Sequence, residues 1–228
     1  MSLGDVSKID RRTLARMPDG CWTKDAIEGY KLMRKGKDYV DTDGRYDRAL
    51  EKLVSAREKL VSARGETKMS TVEKIDLARL CLWIGIAKQE NTTRDSTGGT
   101  DAVVKRNQDA VVEYERGLSL VRLVRDKRAI GLRMSLYNSM GVACEGSRHV
   151  GRVNICEPNT SMSFYRKAVA VYDACDDPDV RSSLQAIRTK VAENSGGRLA
   201  VVLDRVGGGV LKSNRFRSGM VGGGNFAF

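Results

Sequence analysis

The residues with the widest chemical range in this chain lie near its end. Across 196–228, "GGRLAVVLDRVGGGVLKSNRFRSGMVGGGNFAF", Arg198, Arg205, Lys212, Arg215 and Arg217 are interleaved with glycines and with Phe216, Phe226 and Phe228. Such cations can meet phosphates or an acidic protein surface, and the phenylalanines can stack on bases or enter pockets. The plain alternative is a solvated tail, since true Arg-Gly-Gly repeats are absent. Groups suited to covalent or acid–base chemistry are few. The one histidine, His149, is expected in a loop between Arg148 and Val150. No Gly-x-Ser-x-Gly elbow, phosphate loop, metal box or paired-carboxylate constellation occurs. Cys21, Cys81, Cys144, Cys156 and Cys175 contain no CxxC, and their spacing gives neither a disulfide ladder nor a zinc site. Buried thiols in a reducing compartment are expected, with the sequons at Asn91 and Asn159 unused. The expectation is a non-enzymatic chain with no cofactor and no metal.

Bulk composition agrees with a folded domain. The chain has 228 residues, 41% hydrophobic and 30% charged, with only three prolines (Pro18, Pro158 and Pro178) to interrupt helices. Net charge is +11, and residues 179–228 hold eight Lys and Arg against three Asp and Glu. The body is therefore a mixed-charge surface and the tail is the basic element. "RLVRDKR" (122–128) reads as a helix end whose cations suit the dipole rather than a nucleic-acid patch. No run approaches the roughly 18–20 apolar residues of a membrane span. At the start, Arg11, Arg12 and Arg16 near Leu14 and Met17 are similar to a mitochondrial presequence, while Asp5 and Asp10 argue against one. An intracellular protein, cytoplasmic or cytoskeletal, is expected, with a mitochondrial one as the alternative.

Helical periodicity runs from about Asp25 to Asp177. The spacing predicts helices over 26–40, 45–64, 71–90, 102–127, 128–146 and 160–175, with a seventh over 182–194. In the second, Tyr46, Ala49, Leu50, Leu53, Ala56 and Leu60 lay an apolar stripe at three- and four-residue steps. Ser70 with Glu73 makes a capping box for the third, and Gly65 is a plausible stop before it. The helix over 71–90 is apolar over most of its second half and the one over 128–146 is nearly apolar, so both must be wrapped by neighbours. "NTTRDSTGGTD" (91–101) is a loop, and "SRHVGRVNICEPN" (147–159) is expected to be irregular. Six helices thus fall into three pairs, each with the more apolar helix first.

The phrases at the heart of these pairs resemble tetratricopeptide repeats, whose pattern runs W-x2-L-G-x2-Y, then A-x3-F, then a proline. In the first pair, Gly36, Tyr39, Gly44, Tyr46, Ala49, Leu53 and Ala56 match, with one extra residue before the turn. In the second, Ile84-Gly85 stands for Leu-Gly, and Ala110, Tyr114 and Gly117 occupy the second helix. In the third, Met140-Gly141 follows Tyr137, and Tyr165, Ala168, Tyr172 and Cys175 continue to Pro178. An ordinary repeat is about 34 residues; aligned on Ala49, Ala110 and Ala168, these pairs are longer, with the surplus in the loops or in longer helices.

The resemblance implies an all-α, antiparallel helix-hairpin solenoid. Its divisions are an amino-terminal extension (1–24), a repeat domain (25–178, pairs about 25–65, 70–127 and 128–178), a capping helix (179–195) and a basic Gly-rich tail (196–228). It also implies a groove lined by the first helices that takes a partner peptide or helix. That groove would display Tyr30, Met33 and Lys37, then Arg79, Leu82 and Ile86, then Ser135, Asn138 and Val142; the chain's own tail is the competing occupant. The implied function is a protein-interaction scaffold or adaptor, a subunit of a larger assembly. The alternative is an RNA- or ribonucleoprotein-associated repeat protein that uses Arg198, Arg205, Lys212, Arg215, Phe216 and Arg217.

Overall fold

The computed structural model describes residues 23–64, 68–91, 99–151, 153–157 and 159–196. Among these the chain is all-helical, with seven α-helices and no strand: α1 (Lys24–Asp38), α2 (Tyr46–Arg64), α3 (Thr71–Glu90), α4 (Gly99–Val121), α5 (Lys127–Gly151), α6 (Ser161–Asp173) and α7 (Pro178–Asn194). The basic tail, with Arg198, Arg205, Lys212, Arg215, Phe216 and Arg217, lies outside the described residues, as do Gly65 and Cys21.

Local chemistry sets the helix ends. Thr23 caps α1, and its hydroxyl accepts from the Ala26 amide at 3.1 Å. Ser70 and Glu73 form the expected capping box on α3. Thr160 and Ser163 form another on α6. Asp177 caps α7 through the amides of Asp179 and Val180, with Pro178 in the first turn, where a missing amide hydrogen costs nothing. Pro178 therefore opens α7 as well as following α6.

Three boundaries differ from the sequence expectation, each for a visible reason. The extra residue in the first pair is absorbed as a π-helical turn, Tyr39–Asp43, closed by Gly44 in the left-handed region (φ 58°). α4 stops at Val121, so 122–126 is a turn rather than a helix end; the Val124 amide folds back onto the Val121 carbonyl at 3.2 Å. α5 runs on to Gly151, which places His149 in its last turn, exposed and 3.5 Å from the Glu145 carboxylate, not in a loop.

Each helix packs on the one before and the one after it. The odd-numbered helices also touch: α3 packs on α5, and α5 on α7. The interior divides into three successive clusters. The first joins Tyr30, Met33, Leu53 and Leu60 with Leu77, Leu80 and Ile84. The second joins Ile75 and Ala78 with Tyr114, Leu118, Leu136 and Met140. The third joins Met134 with Tyr165, Ala168, Leu184 and Val191. α3 thus serves the first two clusters and α5 the last two, which explains why both are apolar nearly all round.

Within each pair a glycine of the first helix seats a large side chain of the second. A methyl added at Gly85 would strike the ring of Tyr114, and one at Gly141 the ring of Tyr165. At Gly29 and Gly36 it would fall 2.8 Å from Leu60 and 2.6 Å from Leu53. Loss of Cβ lets the helices approach, and the seated residue fills the space. The seated residues are Leu53, Tyr114 and Tyr165, so Ala168 is the counterpart of Ala56 and Gly117. Aligning Ala168 with Ala49 and Ala110 is therefore displaced by about two helical turns.

The cysteines divide. Cys81 and Cys175 are buried thiols, as expected. Cys144 and Cys156 instead form a disulfide, with Cα atoms 6.0 Å apart. Because α5 extends past 146, the chain must turn back along it, and Cys156 arrives beside Cys144. The turn is held by Asn154, whose side chain accepts from the Cys156 amide and donates to the Asn159 carbonyl.

Candidate functional site

The residues expected to line a groove come from α1, α3 and α5. Tyr30 and Met33 are buried in the first cluster. The Tyr30 hydroxyl donates to Asp76 Oδ2 at 3.1 Å, and Arg79 Nη1 reaches Asp76 Oδ1 at 3.0 Å. Two of the nine residues, Tyr30 and Arg79, are thereby joined through a third that the sequence reading did not single out. Asp76 is only 6% exposed, and burial lifts its carboxyl above the usual range against the opposing pull of Arg79 and Tyr30. A lone Asp in an apolar helix was the available signal, since a buried carboxylate requires partners.

Lys37 is half-buried, ion-paired with Asp41, and its ammonium lies 5.8 Å from the ring centre of Trp83. Trp83, half-buried against the first cluster, is a second residue the expectation omitted. Leu82 and Ile86 are half-buried against the second cluster. Ser135 is half-buried on α5. Asn138 is buried, and its carbonyl accepts from Asn194 of α7 at 3.0 Å. Val142 packs against the third cluster, which contains α7.

Of the nine, Tyr30, Met33 and Asn138 therefore hold helices to one another. Lys37, Arg79, Leu82, Ile86, Ser135 and Val142 keep partial access to solvent. Lys37 with Trp83, and Tyr30 with Asp76, tie α1 to α3 along one side; α7 closes on the middle of α5 through Asn194 and Asn138.

Elsewhere, charged clusters knit the helices. Glu113, 6% exposed, receives Arg57 Nη1 at 2.6 Å and Lys88 Nζ at 2.7 Å, joining α2, α3 and α4. The Tyr114 hydroxyl donates to Gln89 at 3.0 Å, and burial drives its phenol far above the usual value. Among the described residues no group of three or more His, Cys, Asp or Glu is arranged to hold a metal ion. No helix among them is long and apolar enough to cross a membrane. No family model matches this chain, and no curated protein or solved structure is significantly similar to it.

Proposed function

We propose that this chain is a non-enzymatic protein-interaction scaffold of tetratricopeptide-like helix pairs, with α7 as the cap of a short solenoid. The observation that carries the reading is the recurring seat: Gly36, Gly85 and Gly141 each receive one large side chain from the following helix. Repetition of one packing device along a chain is how helix pairs stack edge to edge, and the first helices then line a continuous face. The partner would be an extended peptide or a helix lying across α1, α3 and α5. Lys37, Arg79 and Ser135 offer polar contacts there, and Trp83, Leu82, Ile86 and Val142 offer apolar ones.

The test is site-specific photo-cross-linking in the native cell extract. A cross-linker at position 86 is expected to capture a defined protein, and one at exposed Glu115 on α4 is not. Digestion with nuclease should leave the capture intact, and Lys37→Glu with Ser135→Arg should lower it about tenfold or more, a change of about 1.4 kcal/mol. Equal capture from both positions would overturn the groove. Loss of capture on nuclease treatment would favour an RNA-associated role for the basic tail.

A further inference from the structure

One edge of the molecule carries two patches of opposite charge that do not neutralise each other. The turn after α4 and the start of α5 expose Arg122, Leu123, Arg125, Lys127 and Arg128. Among these cations only Arg128 has an ion pair within the described residues, to Asp126 at 3.0 Å. Lys127 and Arg128 also stand at a helix amino terminus, where the dipole disfavours positive charge. Leu123 is 85% exposed, the most exposed large apolar side chain among the described residues. The turn is not a frayed end. Val124 packs into the second cluster, and Arg133 Nη1 donates to the Arg122 carbonyl at 2.8 Å. Leu123 is held outward on a fixed support.

Arg133 links this turn to a cleft on its other side, lined by Ile130, Arg133, Ala170, Val171, Ala174 and Cys175. The cleft holds about 280 Å³. It is an open depression rather than an enclosed cavity, against which the end of an aliphatic side chain can rest. Its rim continues into the link between α6 and α7, which exposes Asp173, Asp176 and Asp179. None of the three is ion-paired within the described residues; Arg181, near the start of α7, gives its guanidinium to the carbonyls of Cys175 and Asp173. The edge therefore carries an exposed apolar side chain flanked by cations and, beside it, an apolar cleft with Arg133 in its wall and exposed carboxylates along one rim.

We propose that the chain self-associates through this edge as a two-fold pair. Leu123 of each copy rests in the cleft of the other, and Arg122, Arg125 and Lys127 face Asp173, Asp176 and Asp179 across the joint. Leu123 and the cleft lie side by side, so one two-fold axis between them satisfies both contacts at once. A nucleic acid or an anionic bilayer would suit the cations but would be repelled by the three aspartates on the same edge. A second copy meets both signs. Stable interfaces bury about 1,200–2,000 Å², and one such exchange falls short of that, so the pair should be weak, reversible and sensitive to salt.

Sedimentation of the full chain, without reductant so that the Cys144–Cys156 disulfide is kept, tests this directly. From about 5 to about 500 μM protein, a monomer–dimer equilibrium is expected, shifting to monomer when salt rises from about 0.05 to about 0.5 M. Leu123→Glu, at a site too exposed to disturb folding, should weaken the dimer about tenfold or more. Two charge-reversed chains decide the geometry: Arg122→Glu with Arg125→Glu and Lys127→Glu, and separately Asp173→Lys with Asp176→Lys. Each alone should be monomeric, and their mixture should form a heterodimer, because each joint then regains opposite charges. A monomer at every concentration, a dimer indifferent to Leu123→Glu, or a mixture that stays monomeric would overturn the proposal.

Discussion

At the scale of single residues, stability rests on side chains that have no alternative place to go. Gly85 and Gly141 lie against the rings of Tyr114 and Tyr165, both almost fully buried. Gly85→Ala or Gly141→Ala should cost about 1–3 kcal/mol by overpacking, read as a lower urea midpoint with an unchanged slope. Alanine is ordinarily the better helix former, so the sign of this change separates a packing seat from a casual glycine. Asp76 gives a different test. Burial raises the carboxyls of Asp76 and Glu90 in the folded state. The folded protein then binds those protons more tightly than the unfolded chain, so stability should rise as pH falls from neutral towards the ordinary carboxylate range. Asp76→Asn, which can still accept from Tyr30, should flatten that slope. Urea melts at about pH 7 and about pH 5 would show it, with the ordinary carboxylate value near 4 as the lower limit of the window. Gly36, Gly85 and Gly141 were all legible as the small residues of their pairs, but the residue seated in the third was not. Tyr165 and Tyr172 lie two turns apart on α6 and fit the pattern equally well, and only the contact with Gly141 decides between them.

At the scale of elements, helix existence was the most legible feature, because three- and four-residue apolar spacing survives any tertiary arrangement. Ends were less so. Nothing local marks Val121 as the last residue of α4; the break is made by Val124 turning into the core and by Arg133 capturing the Arg122 carbonyl. The run of α5 to Gly151 was hidden for a similar reason. Gly146 reads as the last residue of the helix and Gly151 as a loop residue, yet a methyl added at Gly146 would fall 3.2 Å from the Asn107 amide and one at Gly151 2.7 Å from Val104. Close approach to α4, not a turn, accounts for both. That extension also brings Cys144 and Cys156 together, which no spacing rule for cysteines foretells. The disulfide closes a short loop, and replacing Cys144 and Cys156 with serine should lower stability by about 2–4 kcal/mol. The loss should appear first as faster amide exchange over 153–157, whose hold on α5 the bond supplies. An unchanged melting midpoint would show that the packing of Cys156 suffices without it.

At the scale of the whole molecule, the sequence showed that successive helices pack on one another, but not which side chains join them. It did not reveal that Tyr30 and Asn138 reach across to Asp76 and Asn194. Nor did it reveal Trp83 beneath Lys37, since an aromatic on an apolar helix looks like any other core residue. The double service of α3 and α5 has a larger consequence. Each is dry on two sides, so stripping away either neighbour would wet a surface made for contact. A break anywhere from 24 to 194 would leave at least one fragment with a raw flank. Among the described residues there is no seam.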